Sequence, residues 1–230
     1  MGMIDIKGLH WGYTKGEQSI EVLSNISLSI QRGEIIALLG QSGSGKSTLL
    51  NLISGIEAVQ RGEISVGDNK VSQLDEQKLT LFRRQHIGFI YQFFNLIPTL
   101  TVSENIALVL ELNKEPRASA QQKVRHLLAQ LDMADKANDF PDVLSGGEQQ
   151  RVAIGRALIH QPALILADEP TGNLDAHTGQ QVLELLVRQT RALDTSLILV
   201  THSKAVAKHA DHILSLIGGN LVETEDELAW

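Results

Sequence analysis

Between Gly40 and Thr48 the chain reads Gly-Gln-Ser-Gly-Ser-Gly-Lys-Ser-Thr. Glycine, four residues, glycine, lysine and a hydroxyl residue form the spacing of a phosphate cradle. Gly40, Gly43 and Gly45 let the backbone curl until its N–H groups converge on an anion, with Ser42 and Ser44 between them. Lys46 brings a positive charge to the β and γ phosphates, and Ser47, ahead of Thr48, offers a hydroxyl to Mg²⁺. The elements around the loop have to aim it. Glu34-Ile-Ile-Ala-Leu-Leu39 is an apolar run of strand length, and Leu49-Leu-Asn-Leu-Ile53 reads as a helix whose N-terminus faces the phosphates. Alone, the stretch is a flexible Gly/Ser turn; between a strand and a helix it reads as a nucleotide site.

Four further groups have matching chemistry. Asp168-Glu169 directly follows the apolar run Ala163–Ala167. Adjacent carboxylates at a strand end face different ways, so Asp168 can hold Mg²⁺ while Glu169 orients a water. An acidic strand end is ordinary by itself; a phosphate loop in the same chain favours the functional reading. Gln92 stands just past Ile87–Tyr91, where a neutral amide can ligate Mg²⁺ or sense the γ-phosphate. His202 follows Ser196–Val200 and can hydrogen-bond the γ-phosphate, whereas His160, His209 and His212 read as surface residues. In Leu144-Ser-Gly-Gly-Glu-Gln149, Ser145 caps a helix, and Gly146 and Gly147, ahead of Glu148, expose backbone N–H groups. A second anion site in a chain that already has a cradle is explained by a two-fold dimer, each Ser145 helix closing over the ATP of the other chain. Tyr13 is a candidate for stacking on adenine, although Trp11 is equally close and either residue can be core.

The 230 residues carry a net charge of −7 and no cysteine. The acidic balance argues against nucleic acid as a partner and mildly against direct docking to anionic lipid. Disulfides and thiolate metal sites are excluded. No apolar run approaches a membrane span, and Met1–Asp5 does not read as a signal peptide, so any membrane role comes through another chain rather than by direct insertion.

Ile4–Ile30 alternates in places, with Val22, Ile26, Leu28 and Ile30 inward, as antiparallel strands with one exposed face do. Gly62–Val66 is a further strand and Asp75–Arg84 a helix. Thr101 or Ser103 caps a helix; Ser119–Leu131 forms a second with Val124, Leu127, Leu128 and Leu131 on one face; a third starts near Gly146. Ala163–Ala167 and Ser196–Val200 have the unbroken apolar character of parallel strands, with Thr178–Leu193 a helix between them. Ile213–Glu223 closes as a hairpin, and Glu223–Trp230 is acidic and peripheral.

The ordered set Gly40–Thr48, Gln92, Leu144–Gln149, Leu164–Glu169, Gly172–Asp175 and His202 resembles an ABC transporter ATPase subunit over essentially the whole chain. Phe89–Thr101, Leu144–Ala153 and Ala167–Asp175 look like the lipoprotein-releasing and macrolide-export group of bacterial ATPases. The resemblance implies an α/β fold: a P-loop NTPase (ABC ATPase) core with an antiparallel β layer and an inserted helical subdomain. It implies one domain over residues 1–230, with core at 1–92 and 161–230 and a helical subdomain at 93–160. The cofactors implied are ATP and Mg²⁺. Lys46, Glu169 and His202 are the catalytic residues, and Ser47, Gln92 and Asp168 the metal set. By the same resemblance Tyr13, Gly40, Ser42–Thr48 and Gln92 bind nucleotide, Ser145–Glu148 is the signature acting in trans, and Asp175 belongs to the loop across the dimer interface.

The resemblance also implies partners: a second copy of the chain and a permease subunit with few spans and a large extracytoplasmic domain, at the cytoplasmic face of the inner membrane. Part of Phe93–Thr101 is expected to receive a helix of that subunit. The work is export, lipoprotein extraction or mechanotransmission; the alternatives are an importer or a non-transport switch regulating a cell-envelope enzyme. Ser203, Gly155 and His10-Trp11-Gly12 depart from the group's pattern.

Overall fold

A computed structural model describes residues 2–202 and 204–223, excluding the side chains of Lys204 and Ala205. In chain order the elements are β1 (Ile4–Lys15), β2 (Gln18–Ile30), β3 (Ile35–Leu39), α1 (Lys46–Ile53), β4 (Arg61–Val66), α2 (Glu76–His86), β5 (Ile87–Tyr91), α3 (Val102–Leu112), α4 (Arg117–Gln130), α5 (Gly146–Leu158), β6 (Leu164–Asp168), α6 (Ala176–Ala192), β7 (Ser196–Val200), α7 (Lys204–Ala207), β8 (His212–Ile217) and β9 (Asn220–Glu223). They fall into two compact units, Met1–Arg83 with Ser196–Trp230 and Arg84–Thr195.

The first unit has two layers of strand. β2, β1 and β4 form an antiparallel sheet. β7, β3, β8 and β9 lie side by side, parallel except for β9. All five residues of β3 and of β7 are buried, which is why both read as unbroken apolar runs. β8 and β9 turn at Gly218-Gly219, where φ is +57° and +80°, values that suit a two-residue hairpin. The alternation expected along β2 holds for Ile26 and Ile30 but fails nearer its start. Leu23 is fully buried, whereas Val22 is half-buried. Asn25 has φ +51°, and the β1–β2 register shifts between Leu9 and Trp11, so the alternation slips there.

Gly12 is required by the same strand pair: a Cβ there would collide with the Ile20 carbonyl. The Gln60 side chain exchanges two hydrogen bonds with the Gly12 backbone, at 2.9 and 2.8 Å.

The second unit packs helices beside the parallel pair β5–β6. Thr101, not Ser103, caps α3, in a capping box with Glu104. Val124, Leu127, Leu128 and Leu131 are buried, as their spacing requires. α5 buries Val152, Ala153, Ile154, Ala157 and Leu158. Gly155 fits because Leu131 and Ile106 fill its space: a Cβ would meet Leu131 Cδ1 at 2.7 Å and Ile106 Cδ1 at 3.0 Å. Gly88 sits against the Ala157 carbonyl with no room for a side chain, which brings β5 close to α5.

His160 corrects the surface reading of its type. It is half-buried, its Nε2 3.2 Å from the Ile87 carbonyl and its Nδ1 buried without a partner. His212 is exposed as expected, and His209 is partly covered. Burial holds His160 below the ordinary histidine value, with the nearby His86 acting in the same direction; burial also lowers His86. The unfolded chain therefore protonates first as pH falls. Stability contributed by the neutral rings is present above the unfolded value of 6.5 and is lost as pH drops through the lower folded value. Urea midpoints at pH 7.5 and pH 5 are expected to differ less in His160→Gln than in the parent chain. An unchanged difference would remove His160 from the acid response.

Candidate functional site

In the first unit, β3 ends at Leu39 and the phosphate loop begins one residue later. Its glycines take the backbone it needs: φ is +152° at Gly40, +79° at Gly43 and +103° at Gly45. Gly45 also has no room for a side chain. A Cβ would lie 2.7 Å from Val22 Cγ1 and 3.1 Å from Leu23 Cδ2. β2 therefore forms the floor of the loop, and the register slip that buries Leu23 also brings Val22 onto it.

Lys46 is buried, and its ammonium donates to the Gly40 and Gln41 carbonyls at 2.8 and 2.9 Å. It thus lies folded back over the loop. α1 starts at Lys46 with no side-chain cap, and a helix N-terminus directly behind a glycine-rich loop is the kind of backbone that receives an anion. Ser44 Oγ is buried without a hydrogen-bond partner; a phosphate oxygen is the kind of acceptor that would satisfy it. Ser42, Gly43 and Ser47 are exposed.

β7 runs beside β3 in the same direction, with Leu38 opposite Val200. His202 therefore emerges at the end of the unit from which the phosphate loop emerges, and it is exposed there. Tyr13 is 47% exposed and pairs with Ile20 on β2. Its ring tilts against Trp11 with centroids 6.3 Å apart. Ser203 lies outside the described residues, as does the tail beyond Glu223.

In the second unit, Tyr91 on β5 is opposite Asp168 on β6. Gln92 and Glu169 thus leave the ends of neighbouring parallel strands. Both reach Gly172. From the position of a Cβ on that glycine, Gln92 Nε2 is 3.0 Å away and Glu169 Oε2 3.3 Å. Glu169 has φ +47°, a left-handed conformation that non-glycine residues adopt at a cost of about 1–2 kcal/mol. The Gly172 N–H donating to the Glu169 carbonyl at 3.0 Å closes the turn that holds it there.

Ser145 begins α5 in a reciprocal capping box. Its backbone N–H and hydroxyl donate to Glu148 Oε2 at 2.8 and 2.7 Å, and its hydroxyl accepts from the Glu148 N–H at 3.4 Å. The Ser145 hydrogen bonds hold the Glu148 carboxyl below its usual range. Gly146 faces Leu174, with a Cβ 3.1 Å from Leu174 Cδ2, and Gly147 is tight against Thr178 Cγ2 at 2.5 Å. The start of α5 therefore packs on the turn that carries Gly172 and Asp175. Asp175 caps α6, accepting from the His177 and Thr178 N–H groups at 3.1 Å each. Its bonds to Thr178 hold its carboxyl low.

Two residues here went unread in the sequence. Asn173 bonds both the side chain and the backbone of Gln92, and Arg156 donates to the Asn95 and Phe94 carbonyls at 2.6 and 2.8 Å. An asparagine in a turn and an arginine in a helix have many ordinary explanations. Only the fold brings Asn173 to Gln92, and Arg156 to the two residues that follow Phe93.

Ser47 in the first unit, and Gln92 and Asp168 in the second, each carry an oxygen donor of the hard kind Mg²⁺ takes beside phosphate and water. Within the first unit the orphaned Ser44 hydroxyl and the start of α1 suit the phosphates of a nucleotide.

The family model for ABC transporters matches residues 23–172. An uncharacterized ABC transporter ATP-binding protein of Mycobacterium tuberculosis is 51% identical over 220 residues, covering 96% of this chain and 89% of that protein. The lipoprotein-releasing system ATP-binding protein LolD of Bordetella pertussis is 43% identical over 91% of this chain and 90% of its own. Among solved structures, the dimeric post-hydrolysis state of the ATP-binding cassette MJ0796 bound to ADP and Pi superposes with a TM-score of 0.87. It is 38% identical and covers 98% of this chain and 99% of that one. The chain belongs to the ABC transporter family.

Proposed function

We propose that two copies of this chain close around two ATP–Mg²⁺ and drive a membrane subunit in export, lipoprotein extraction or mechanotransmission. The reading is carried by one observation. The chain has a complete phosphate loop at Gly40–Thr48 and a second helix start at Ser145–Glu148 that opens on two glycines, each in its own compact unit. The dimeric form of MJ0796 with ADP and Pi and the LolD relationship support it.

In this account Lys46 and the loop amides bind the phosphates of one ATP, Tyr13 stacks on its adenine, and Ser145, Gly146, Gly147 and Glu148 of the second copy cover it. Ser47, Gln92 and Asp168 hold Mg²⁺, which neutralises phosphate charge when bound. Glu169 polarises the attacking water, and His202 positions it against the γ-phosphate. Asp175 lies in the loop across the pair. ATP bridges both copies and hydrolysis removes the bridge, so its differential affinity for the closed state is the energy source.

Among the described residues no helix is long and apolar enough to cross a membrane; in this reading the chain acts at the cytoplasmic face through its partner. Part of Phe93–Thr101, a segment that opens with Phe93, 71% exposed just past Gln92, receives a helix of the partner in this reading. A cleft of about 890 Å³ between α3 and α4, lined by Thr101, Glu104, Glu111, Arg117 and Val124, continues from it.

Affinity purification of the Glu169→Gln chain from its native membranes in ATP–Mg²⁺, followed by mass spectrometry, tests the reading. Recovery of a polytopic subunit with a large extracytoplasmic domain is the expected result. Recovery of a permease with a binding protein would indicate import, and recovery of no membrane protein would overturn the membrane role.

A further inference from the structure

A glutamine amide can present oxygen or NH₂ with nearly the same shape, but only the oxygen can ligate a cation. Whatever bonds one end therefore decides what the other end offers. Asn173 Nδ2 donates to the Gln92 backbone carbonyl at 2.8 Å. A carbonyl only accepts, so this bond fixes the orientation of the Asn173 amide. Its Oδ1 is thereby turned toward the Gln92 side chain, whose Nε2 donates to it at 3.3 Å. That leaves Gln92 Oε1 at the opposite corner of its amide.

The backbone beyond Gln92 is braced as well. Phe94 and Asn95 take φ of +52° and +50°, and the Arg156 guanidinium holds both carbonyls. With Arg156 holding the backbone that follows, the bond from Asn173 sets which end of the Gln92 amide faces away from the turn.

We infer that Asn173 is a positioning residue that sets the Gln92 amide with its oxygen toward the metal. The inference rests on the reading of Gln92 as a magnesium ligand. It also gives the turn at Gly172–Asp175 a second role: movement of that turn carries Asn173, and with it the metal-facing end of Gln92.

The test is binding of the non-hydrolysable analogue AMP-PNP to the full chain by calorimetry, in Mg²⁺ and in EDTA. The readout is the enhancement of affinity by magnesium. Asn173→Ala and Gln92→Ala are each expected to reduce it roughly tenfold, the worth of one well-made hydrogen bond or ligand contact, with affinity in EDTA unchanged. Asn173 is exposed, so its replacement leaves the fold intact, which thermal unfolding checks.

Gln92→Glu offers an oxygen whichever way it faces. On that background Asn173→Ala should cost no further enhancement, a rescue that a merely structural asparagine would not show. Full enhancement in Asn173→Ala with loss in Gln92→Ala would overturn the positioning role and leave the Gln92 reading standing. Full enhancement in Gln92→Ala would remove Gln92 as a ligand and the inference with it. An equal loss from Asn173→Ala on the Gln92→Glu background would show that Asn173 acts by another route and would also overturn it.

Discussion

Glu169→Gln is expected to lower ATP turnover by between about 10²- and 10⁴-fold, the usual contribution of a positioned general base, while the chain still binds ATP. In ATP–Mg²⁺ the variant should migrate as a dimer on size-exclusion chromatography and return to its nucleotide-free state in EDTA. The amide keeps the size of the carboxylate and should fit the same turn, where Glu169 has φ +47° and accepts from the Gly172 N–H. What it loses is the ability to take a proton from water. Binding energy is then retained while the step that would break the bridge is blocked, so the closed state accumulates. A variant that stays monomeric in ATP and hydrolyses at the parent rate would refute both the role of Glu169 and the closing of two copies around ATP.

Much of this was legible because the relevant residues report on local backbone. Gly43 and Gly45 stand where φ is positive, Ser145 stands three residues before the glutamate that completes its capping box, and β3 and, after Ser196, β7 are apolar because every residue in them is buried. Such signals need only near neighbours in the chain. The misreadings and omissions depend on distant ones. Val22 alternates correctly with Ile26 in the sequence, but the slip near Asn25 makes Leu23 the deeply buried residue. His160 follows a helix end, where exposure is the ordinary outcome, yet the start of β5 covers it through Ile87. Asn173 has no local signature for its bonds to Gln92, a residue 81 positions away. The same holds for Arg156, 61 positions from Asn95.

Gly45 joins the two kinds of information, since its backbone is local and its crowding is not. Gly45→Ala is expected to destabilise the chain by about 2–5 kcal/mol, combining about 1–2 kcal/mol for a side chain at positive φ with about 1–3 kcal/mol for overpacking. The first contribution follows from φ +103° and the second from Val22 Cγ1 at 2.7 Å and Leu23 Cδ2 at 3.1 Å. Urea unfolding separates them. Adding Val22→Ala removes the nearest obstructing methyl, so the penalty of Gly45→Ala measured on that background should shrink toward the conformational part without vanishing. ATP affinity should fall together with stability in Gly45→Ala, because the residue that yields to the new methyl is either β2 or the loop that carries the phosphate-facing amides. If the penalty is the same with and without Val22→Ala, the Val22 methyl does not limit the site, and the cost lies in the loop backbone and the contact with Leu23.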